Sequence, residues 1–375
     1  MGSLRTLRVT WPLGRPALDA LLILLVLLGG AELLLRQPTV RRGLPPPSIG
    51  SGNSNIDLKL EGLRRFVERD GRLDYLFMGS SMLDSGIDPD VFDRRYAELT
   101  GRVPHGYNFG IAALNGQVGE KIGRILLAEY QPRRVIWGLT PMDYTRYGLR
   151  QGMRQLDQNP WINYRLGDWT FDGWLTDNLL LYRYSIRWYM ELTQPVFVQL
   201  LDDKQARMTA AGFTPIDDPP RLQNLMELDH GQRRRWQRLS RVSLDRELFR
   251  NLMALHGHSE LIFAELPAHP RLLAYLGDGT SRLEKDLQAI RQMTVRAGIP
   301  LIPPPEPGFL PDGMWYDFTH LTPAGAARYS AWLAERLAAL DLHSGRRGDA
   351  RPSPSAVVVN GDGLRPTSDF SGRRP

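Results

Sequence analysis

Short apolar runs that alternate with helix-period stretches constrain the fold of this chain more than any other feature. Each run has the length of a buried strand, and stretches between them, such as Leu114–Tyr130 and Ser281–Ala297, repeat apolar residues at helical spacing. Strands alternating with helices predict a three-layer α/β/α fold around a central parallel sheet. The predicted strands are Asp74–Met78, Tyr107–Phe109, Arg134–Leu139, Leu261–Leu266 and Ile299–Ile302.

Residues 141–255 interrupt this alternation and are rich in aromatic side chains, including Trp161, Trp169, Trp174 and Trp188. We predict a helical insertion over the edge of the sheet. Three uses of its aromatic residues stay open from the sequence. They could pack the insertion's own core, stack on sugar rings, or lie against membrane headgroups.

An apolar segment, Ala17–Leu35, lies close to the N-terminus. As a helix it would span roughly 28 Å, close to the ~30 Å hydrocarbon core of a bilayer. Arginines flank it on both sides, so the positive-inside rule does not orient it by count. A cleaved signal peptide, with small residues at Gly29–Ala31, and a buried core helix are the alternatives. We predict an uncleaved anchor, with residues 1–36 forming a cytoplasmic stub and a single membrane-spanning helix.

Two further segments have the composition of linkers. Residues 37–56 and 344–375 are rich in Pro, Gly and Ser, which favours chain flexibility over a packed core. The sequence therefore predicts a flexible linker at 37–56, a globular α/β domain at 57–343 that contains the insertion, and a disordered tail at 344–375. The predicted location is the cell membrane, with the globular domain outside the cytoplasm.

Composition excludes some classes of site. The chain has no cysteine, so it has neither disulfides nor thiolate metal sites. Its net charge is +6, but the arginines form no nucleic-acid recognition motif, and no nucleic-acid partner is expected. His256 and His258 have no carboxylate cluster beside them in the sequence, and we expect no metal site there.

The C-terminal motif Tyr316–Gly325 carries an acid and a base three residues apart. Thr322 followed by proline is a helix start, so Asp317 and His320 lie on the loop just before a helix. The carboxylate can orient the imidazole while the second ring nitrogen acts as a base. Such a base needs a nucleophile, and Ser81 in Gly79-Ser80-Ser81 directly follows a predicted strand. In parallel sheets the carboxyl ends of the strands carry the sites.

These two motifs resemble the SGNH/GDSL hydrolase family. Gly79-Ser80-Ser81 corresponds to its Gly-Asp-Ser block, and Asp317 to Gly325 matches its Asp-x-x-His block followed by Leu-Thr-Pro-x-Gly. The resemblance implies a flavodoxin-like fold and a catalytic triad of Ser81, Asp317 and His320. It implies no metal or bound cofactor.

Two blocks of that family are altered. In the second, Asn108–Ala113, alanine stands in place of the final glycine. The resemblance implies an oxyanion hole made by the backbone N–H groups of Ser81 and Ala113. The third block, beginning at Gly138, lacks its asparagine, and the loss of one such donor costs about 2.7–4 kcal/mol. The candidate substrate-binding or replacement residues are Asn108, Gly110, Asn115 and Thr140.

Within the family the chain is similar to anchored proteins that act on envelope polymers, as in alginate O-acetylation or teichoic-acid D-alanylation. The anchor, the Gly-Ser-Ser variant and the Ser85–Pro89 run carry this likeness. It implies serine-dependent acyl transfer or ester hydrolysis on an acylated cell-envelope glycan or a lipid-linked substrate. A membrane-bound acyl-donor protein is a further expected partner. An esterase of small esters or lipids, and an inactive envelope scaffold, are the alternatives.

Overall fold

The computed structural model describes residues 15–141, 143–145, 151–218, 243–272 and 279–343, and it contains a five-stranded sheet. All neighbouring strands are parallel, in the order β2-β1-β3-β4-β5. This is the flavodoxin-like strand order. The predicted class, an α/β fold with a central parallel sheet, is therefore confirmed. The strands are β1 (Tyr75–Gly79), β2 (Gly106–Gly110), β3 (Arg134–Leu139), β4 (Glu260–Glu265) and β5 (Leu301–Ile302).

Helices, numbered here among the described residues alone, join the strands and form the insertion. Before β3 they are α1 (Arg15–Arg36), α2 (Pro38–Arg42), α3 (Ser54–Asp70), α4 (Ser81–Asp84), α5 (Pro89–Thr100) and α6 (Gly116–Tyr130). The insertion contributes α7 (Gln151–Asp157), α8 (Pro160–Arg165), α9 (Phe171–Asn178), α10 (Leu180–Thr193), α11 (Pro195–Arg207) and α12 (Arg246–Met253). The last two are α13 (Gly279–Arg296) and α14 (Pro323–His343).

Both faces of the sheet are covered, as alternating side chains of β1 show. Leu76 and Met78 belong to one apolar core, with α3, α6, α12 and α13. Tyr75 and Phe77 belong to the other, with α4, α5 and α14. Successive residues of a strand point to opposite faces, so a run buried on both faces is apolar throughout. The three predicted layers are present.

Three glycines meet at the carboxyl edge of the sheet. Gly79 ends β1 and is in register with Gly110 of β2 and with Gly138 of β3. The short helix α4 lies directly against them. A Cβ atom at Gly110 would lie 2.5 Å from the backbone of Asp84, and one at Gly138 would lie 2.6 Å from the Leu83 side chain. Glycine is therefore required where the backbone of α4 approaches the sheet.

The segment predicted as a flexible linker, 37–56, is in fact partly packed. It contains α2, and Ser48 and Ile49 are buried. The Ile49 N–H donates to Asp57 Oδ1 at 2.9 Å, and its carbonyl accepts from Asn159 Nδ2 at 3.0 Å. The composition did not predict this packing, because the backbone hydrogen bonds of Ile49 are made with side chains outside the segment, those of Asp57 and Asn159. The predicted tail, 344–375, lies outside the described residues.

The N-terminal helix α1 is long and apolar enough to cross a membrane. Its window Pro16–Arg36 has a mean hydropathy of 2.4, and 6% of it is buried against the rest of the protein. That exposure argues against the buried core helix. A signal sequence near the N-terminus also passes this test of length and hydropathy.

A substitution at Gly110 tests the close approach of α4. In Gly110→Ala the added methyl overlaps the Asp84 backbone, and overpacking of this kind costs about 1–3 kcal/mol. Gly313→Ala is the matched control, because nothing lies within 4 Å of a Cβ at that position. Urea denaturation of the full chain in detergent, followed by tryptophan fluorescence, should show a lower midpoint for Gly110→Ala alone. Equal midpoints in the two variants would contradict the proposed packing.

Candidate active site

Ser81 lies just after the carboxyl end of β1, as the first residue of α4. Because β2 and β3 pair with opposite edges of β1, this is the point where the strand order reverses. Crevices at such points are the usual ligand sites of open α/β sheets. The hydroxyl of Ser81 lies 2.9 Å from Nε2 of His320, which is 239 residues away in the sequence.

Asp317 and His320 lie on a tight loop before α14. The loop is closed by a hydrogen bond from Tyr316 N to the His320 carbonyl, at 2.9 Å. Nδ1 of His320 lies 2.9 Å from Oδ2 and 3.0 Å from Oδ1 of Asp317. The backbone N–H groups of Thr319 and His320 each donate to Asp317 Oδ1 at 2.8 Å. These hydrogen bonds all join residues that are no more than four positions apart in the sequence.

The electrostatics of the loop favour an ionised carboxylate. Burial acts to raise the pKa of Asp317, but the hydrogen bond and the charge of His320 outweigh it and the pKa lies below its usual range. An ionised Asp317 keeps the imidazole proton on Nδ1. Nε2 is then free to accept the proton of the Ser81 hydroxyl. Chemically, the arrangement can activate a serine for attack on a carbonyl carbon.

Two backbone N–H groups near Ser81 are candidates for an oxyanion hole. Neither Ser81 nor Ala113 donates its N–H to another protein atom in the part of the chain that the structure describes. The Ala113 loop is tied to β1 by a hydrogen bond from Ile111 N to the Gly79 carbonyl, at 2.9 Å. Ala113 has φ +61°, the left-handed conformation. That conformation costs a residue with a Cβ roughly 1–2 kcal/mol, which explains why glycine would suit the position better.

Asn108 and Gly110, predicted as candidate substrate-binding residues, are structural instead. Asn108 is fully buried, and its Nδ2 donates to the carbonyls of Leu83 at 2.9 Å and Ile87 at 2.7 Å. Its Oδ1 accepts from Gly110 N at 2.8 Å. Gly110 lies beneath α4. The prediction was wrong because the sequence did not reveal α4, a single turn too short to show helical periodicity.

The two side chains predicted to replace the missing asparagine are already engaged. Asn115 Oδ1 accepts from Val118 N at 3.0 Å, which makes it the N-cap of α6. Thr140 is buried, and its hydroxyl donates to Asp143 Oδ2 at 2.7 Å. The Thr140 hydroxyl proton therefore points to a carboxylate and not to the site. The oxyanion would depend on the two backbone donors.

The sequence did not reveal a buried ion cluster beside the site. Lys59 Nζ lies 2.6 Å from Asp84 Oδ1, and Lys204 Nζ lies 2.6 Å from Asp84 Oδ2. Lys59 is fully buried and also donates to the carbonyls of Asn108, at 3.0 Å, and Gly212. The one available signal was that only four lysines occur in the chain. Nothing local in the sequence pairs two of them with Asp84.

The charges of this cluster are mutually dependent. Burial lowers the pKa of Lys59 to about 8, an effect that the Asp84 carboxylate opposes. Burial alone would raise the pKa of Asp84, but the two ammonium groups outweigh it and lower the pKa. Asp84 lies on the same helical turn as Ser81. The cluster therefore fixes the position of the turn that carries the hydroxyl.

No group of three or more His, Asp or Glu side chains is placed to hold a metal ion within the described residues. Of the two histidines weighed as ligands, His256 accepts a hydrogen bond from Leu261 N through Nδ1, at 3.2 Å. That contact ties it to the start of β4.

Removing Lys59 should destabilise the protein far more than removing a surface lysine. In Lys59→Met the buried Asp84 carboxylate loses one of its two ammonium partners. Breaking a buried ion pair costs about 3–5 kcal/mol. Lys121→Met is the matched control, because Lys121 forms a half-exposed pair with Asp157 at 2.8 Å, worth roughly 0–1 kcal/mol. Urea denaturation of each variant measures its loss in the free energy of unfolding.

Lys204 still pairs with Asp84 in Lys59→Met, so the double variant Lys59→Met/Lys204→Met, which leaves the buried carboxylate with no ammonium partner, should lose more stability than Lys59→Met. Similar losses for Lys59→Met and Lys121→Met would show that the buried cluster does not hold α4.

No protein-family model matches the chain, and no curated protein sequence matches it. Among solved structures it is similar to Est24, a carbohydrate acetylesterase from Sinorhizobium meliloti, with 13% identity and a TM-score of 0.33 over 72% of this chain and 100% of that one. It is also similar to an aryl esterase of M. smegmatis. The native form has 13% identity and a TM-score of 0.32, and the inhibitor-bound form 12% and 0.30, each over 72% of this chain and 99% of that one.

Proposed function

We propose that this chain is a serine-dependent esterase or acyl transferase in which Ser81, His320 and Asp317 are the catalytic residues. The observation that carries the proposal is the continuous contact from Ser81 Oγ to His320 Nε2, at 2.9 Å, and from His320 Nδ1 to Asp317, at 2.9 Å. A nucleophile and a base within hydrogen-bond reach, with the base oriented by a third group, are the signature of an activated nucleophile.

In the proposed reaction Ser81 attacks the carbonyl carbon of an ester or thioester while its proton moves to His320 Nε2. Asp317 stabilises the imidazolium through Nδ1. The N–H groups of Ser81 and Ala113 donate to the oxyanion of the tetrahedral intermediate. When the intermediate collapses, the leaving group takes the proton from His320 and the acyl group stays on Ser81. An acceptor hydroxyl or water, deprotonated by His320 Nε2, then attacks the acyl carbon, and Ser81 Oγ leaves with the proton that His320 returns.

The occupied side chains around the site favour transfer over hydrolysis. The Thr140 hydroxyl donates to Asp143 and the Asn108 amide to α4, so neither can support an oxyanion. Water attack on the acyl-enzyme would be poorly stabilised. An acceptor hydroxyl that is bound next to the acyl carbon would offset this weak stabilisation, because effective molarities reach ~10⁵ M or more.

The proposed substrate is an acylated cell-envelope glycan or a lipid-linked carbohydrate, with a membrane-bound protein as acyl donor. The proposed location is the outer side of the cytoplasmic membrane. Support comes from α1, which is long and apolar enough to anchor the chain, and from the aromatic insertion beside the site.

Two alternatives compete with this proposal. An esterase of small esters or lipids would use the same three residues with water as acceptor. A non-catalytic scaffold is favoured by the altered oxyanion blocks, in which Ala113 replaces glycine and Thr140 stands where asparagine is expected. The contact between Ser81 and His320 argues against the scaffold.

A membrane-impermeant fluorophosphonate applied to spheroplasts tests both the nucleophile and the location. The probe should label the wild-type chain and should not label Ser81→Ala, because only an activated serine attacks phosphorus. Ser80→Ala is the matched control and should be labelled like wild type, since the Ser80 hydroxyl is buried and has no hydrogen-bond partner. Gel fluorescence of the purified chain gives the readout.

The same experiment on lysed spheroplasts separates two kinds of failure. Labelling after lysis alone would contradict the outward location but not the nucleophile. No labelling in either sample would contradict the enzymatic function and favour the scaffold.

The choice between transfer and hydrolysis is tested by intact-protein mass spectrometry after mixing with p-nitrophenyl acetate. An acetyl group should accumulate on Ser81, because deacylation by water is slow. A hydroxyl-rich acceptor glycan should accelerate its loss. Rapid turnover that the acceptor does not change would identify a plain esterase.

A further inference from the structure

The C-terminal end of α1 is built into the folded domain. The Glu32 carboxylate accepts from the N–H groups of Leu180, at 3.1 Å, and Leu181, at 2.7 Å, at the start of α10. Arg36 donates to the Asn178 carbonyl at the end of α9, at 2.7 Å. Leu35 is buried against Leu180. The apolar helix therefore leaves the domain at the junction of α9 and α10, with no free tether between them.

Strongly exposed apolar side chains are concentrated on α10, on α11 and around the start of α9, and α10 contacts both of the other helices. Their exposed fractions run from 60% at Phe171 to 84% at Leu192. Elsewhere in the described globular domain, the apolar side chains that are at least 60% exposed are Val103, Val295 and Leu342. We call the concentrated group the interfacial surface, formed by Trp169, Phe171, Tyr189, Leu192, Val196 and Leu200.

The composition of this surface fits a lipid headgroup region better than a sugar or a protein. Trp and Tyr are the residues enriched where a membrane meets water, and Leu, Val and Phe insert into the acyl boundary. Sugar recognition uses aromatic faces but has no use for exposed Leu192, Val196 and Leu200. On α10, Leu192 is twelve residues from Leu180, which corresponds to about 18 Å along the helix from the end of α1.

We propose that the interfacial surface lies in the headgroup region of the membrane that α1 crosses, so that the domain rests on the bilayer. The helix α11 connects this surface to the site. Leu200 is one turn, about 6 Å, from Lys204, whose ammonium lies 2.6 Å from Asp84 on the turn that carries Ser81. Insofar as the proposed function holds, the reacting ester would then be held near the membrane, as a lipid-linked or membrane-protein-bound acyl group is.

The chain has no cysteine, so single cysteines can report on each surface position. Leu192→Cys and Leu200→Cys test the interfacial surface, and Val295→Cys and Val103→Cys, which are 77% and 65% exposed in the parent, are the matched controls. Each full-length variant is labelled with a nitrobenzoxadiazole fluorophore in phosphatidylcholine/phosphatidylglycerol nanodiscs. Quenching is measured with nitroxide-labelled lipid and, separately, with aqueous iodide. An unchanged thermal unfolding midpoint verifies each fold.

Nitroxide lipid should quench the fluorophore at 192 and 200 several-fold more strongly than at 295 and 103, and iodide should show the reverse order. Equal iodide quenching at all four positions would overturn the proposal. Protection at 192 and 200 from both quenchers would also overturn it, because a protein partner or a second copy would then cover the surface. The readout does not involve Ser81, so it is independent of the catalytic proposal.

Discussion

The site depends on how one helical turn, α4, is held against the sheet. A four-residue helix has no stability of its own, since helix nucleation costs more than one turn returns. Three aligned glycines let its backbone approach the strands, and the buried amide of Asn108 binds its carbonyls. Two buried or half-buried ammonium groups pair with Asp84 on the same turn. The position of the Ser81 hydroxyl therefore depends on contacts from several parts of the core and not on the four residues of α4 alone.

The other half of the site is organised in the opposite way. Asp317 and His320 are positioned by a tight loop whose hydrogen bonds span two to four residues. A hydrogen bond from His269 N to the Phe318 carbonyl, at 2.9 Å, ties that loop to the rest of the domain, and His320 lies 2.9 Å from Ser81. The contact between Asp317 and His320 is therefore organised mainly by local hydrogen bonds, and the position of Ser81, the proposed nucleophile, depends on distant parts of the chain. Perturbing the core should move Ser81 before it disturbs the contact between Asp317 and His320.

The insertion contacts both the apolar helix α1 and the short helix α4, which no sequence motif connects. At one end its helices receive the end of α1 through Glu32 and Arg36. At the other, Lys204 of α11 contacts Asp84 on the turn that carries Ser81. Breaking such a buried pair leaves a charge without its partner, so this contact holds α11 and α4 together. The insertion thus supports α4 and also links it to the apolar helix.

By itself the sequence determined the strands, the layers and the acid–base loop. A strand buried on both faces must be apolar throughout, as Arg134–Leu139 nearly is, and the helix start at Thr322-Pro323 places Asp317 and His320 within a few residues. Only the tertiary structure decided that residues 37–56 are partly packed, that Asn108 and Thr140 are engaged elsewhere, and that Lys59 and Lys204 converge on Asp84. Periodicity and turn chemistry are encoded within a few neighbouring residues. A hydrogen bond or an ion pair between residues such as Lys204 and Asp84, 120 positions apart, exists only once the chain has closed around it.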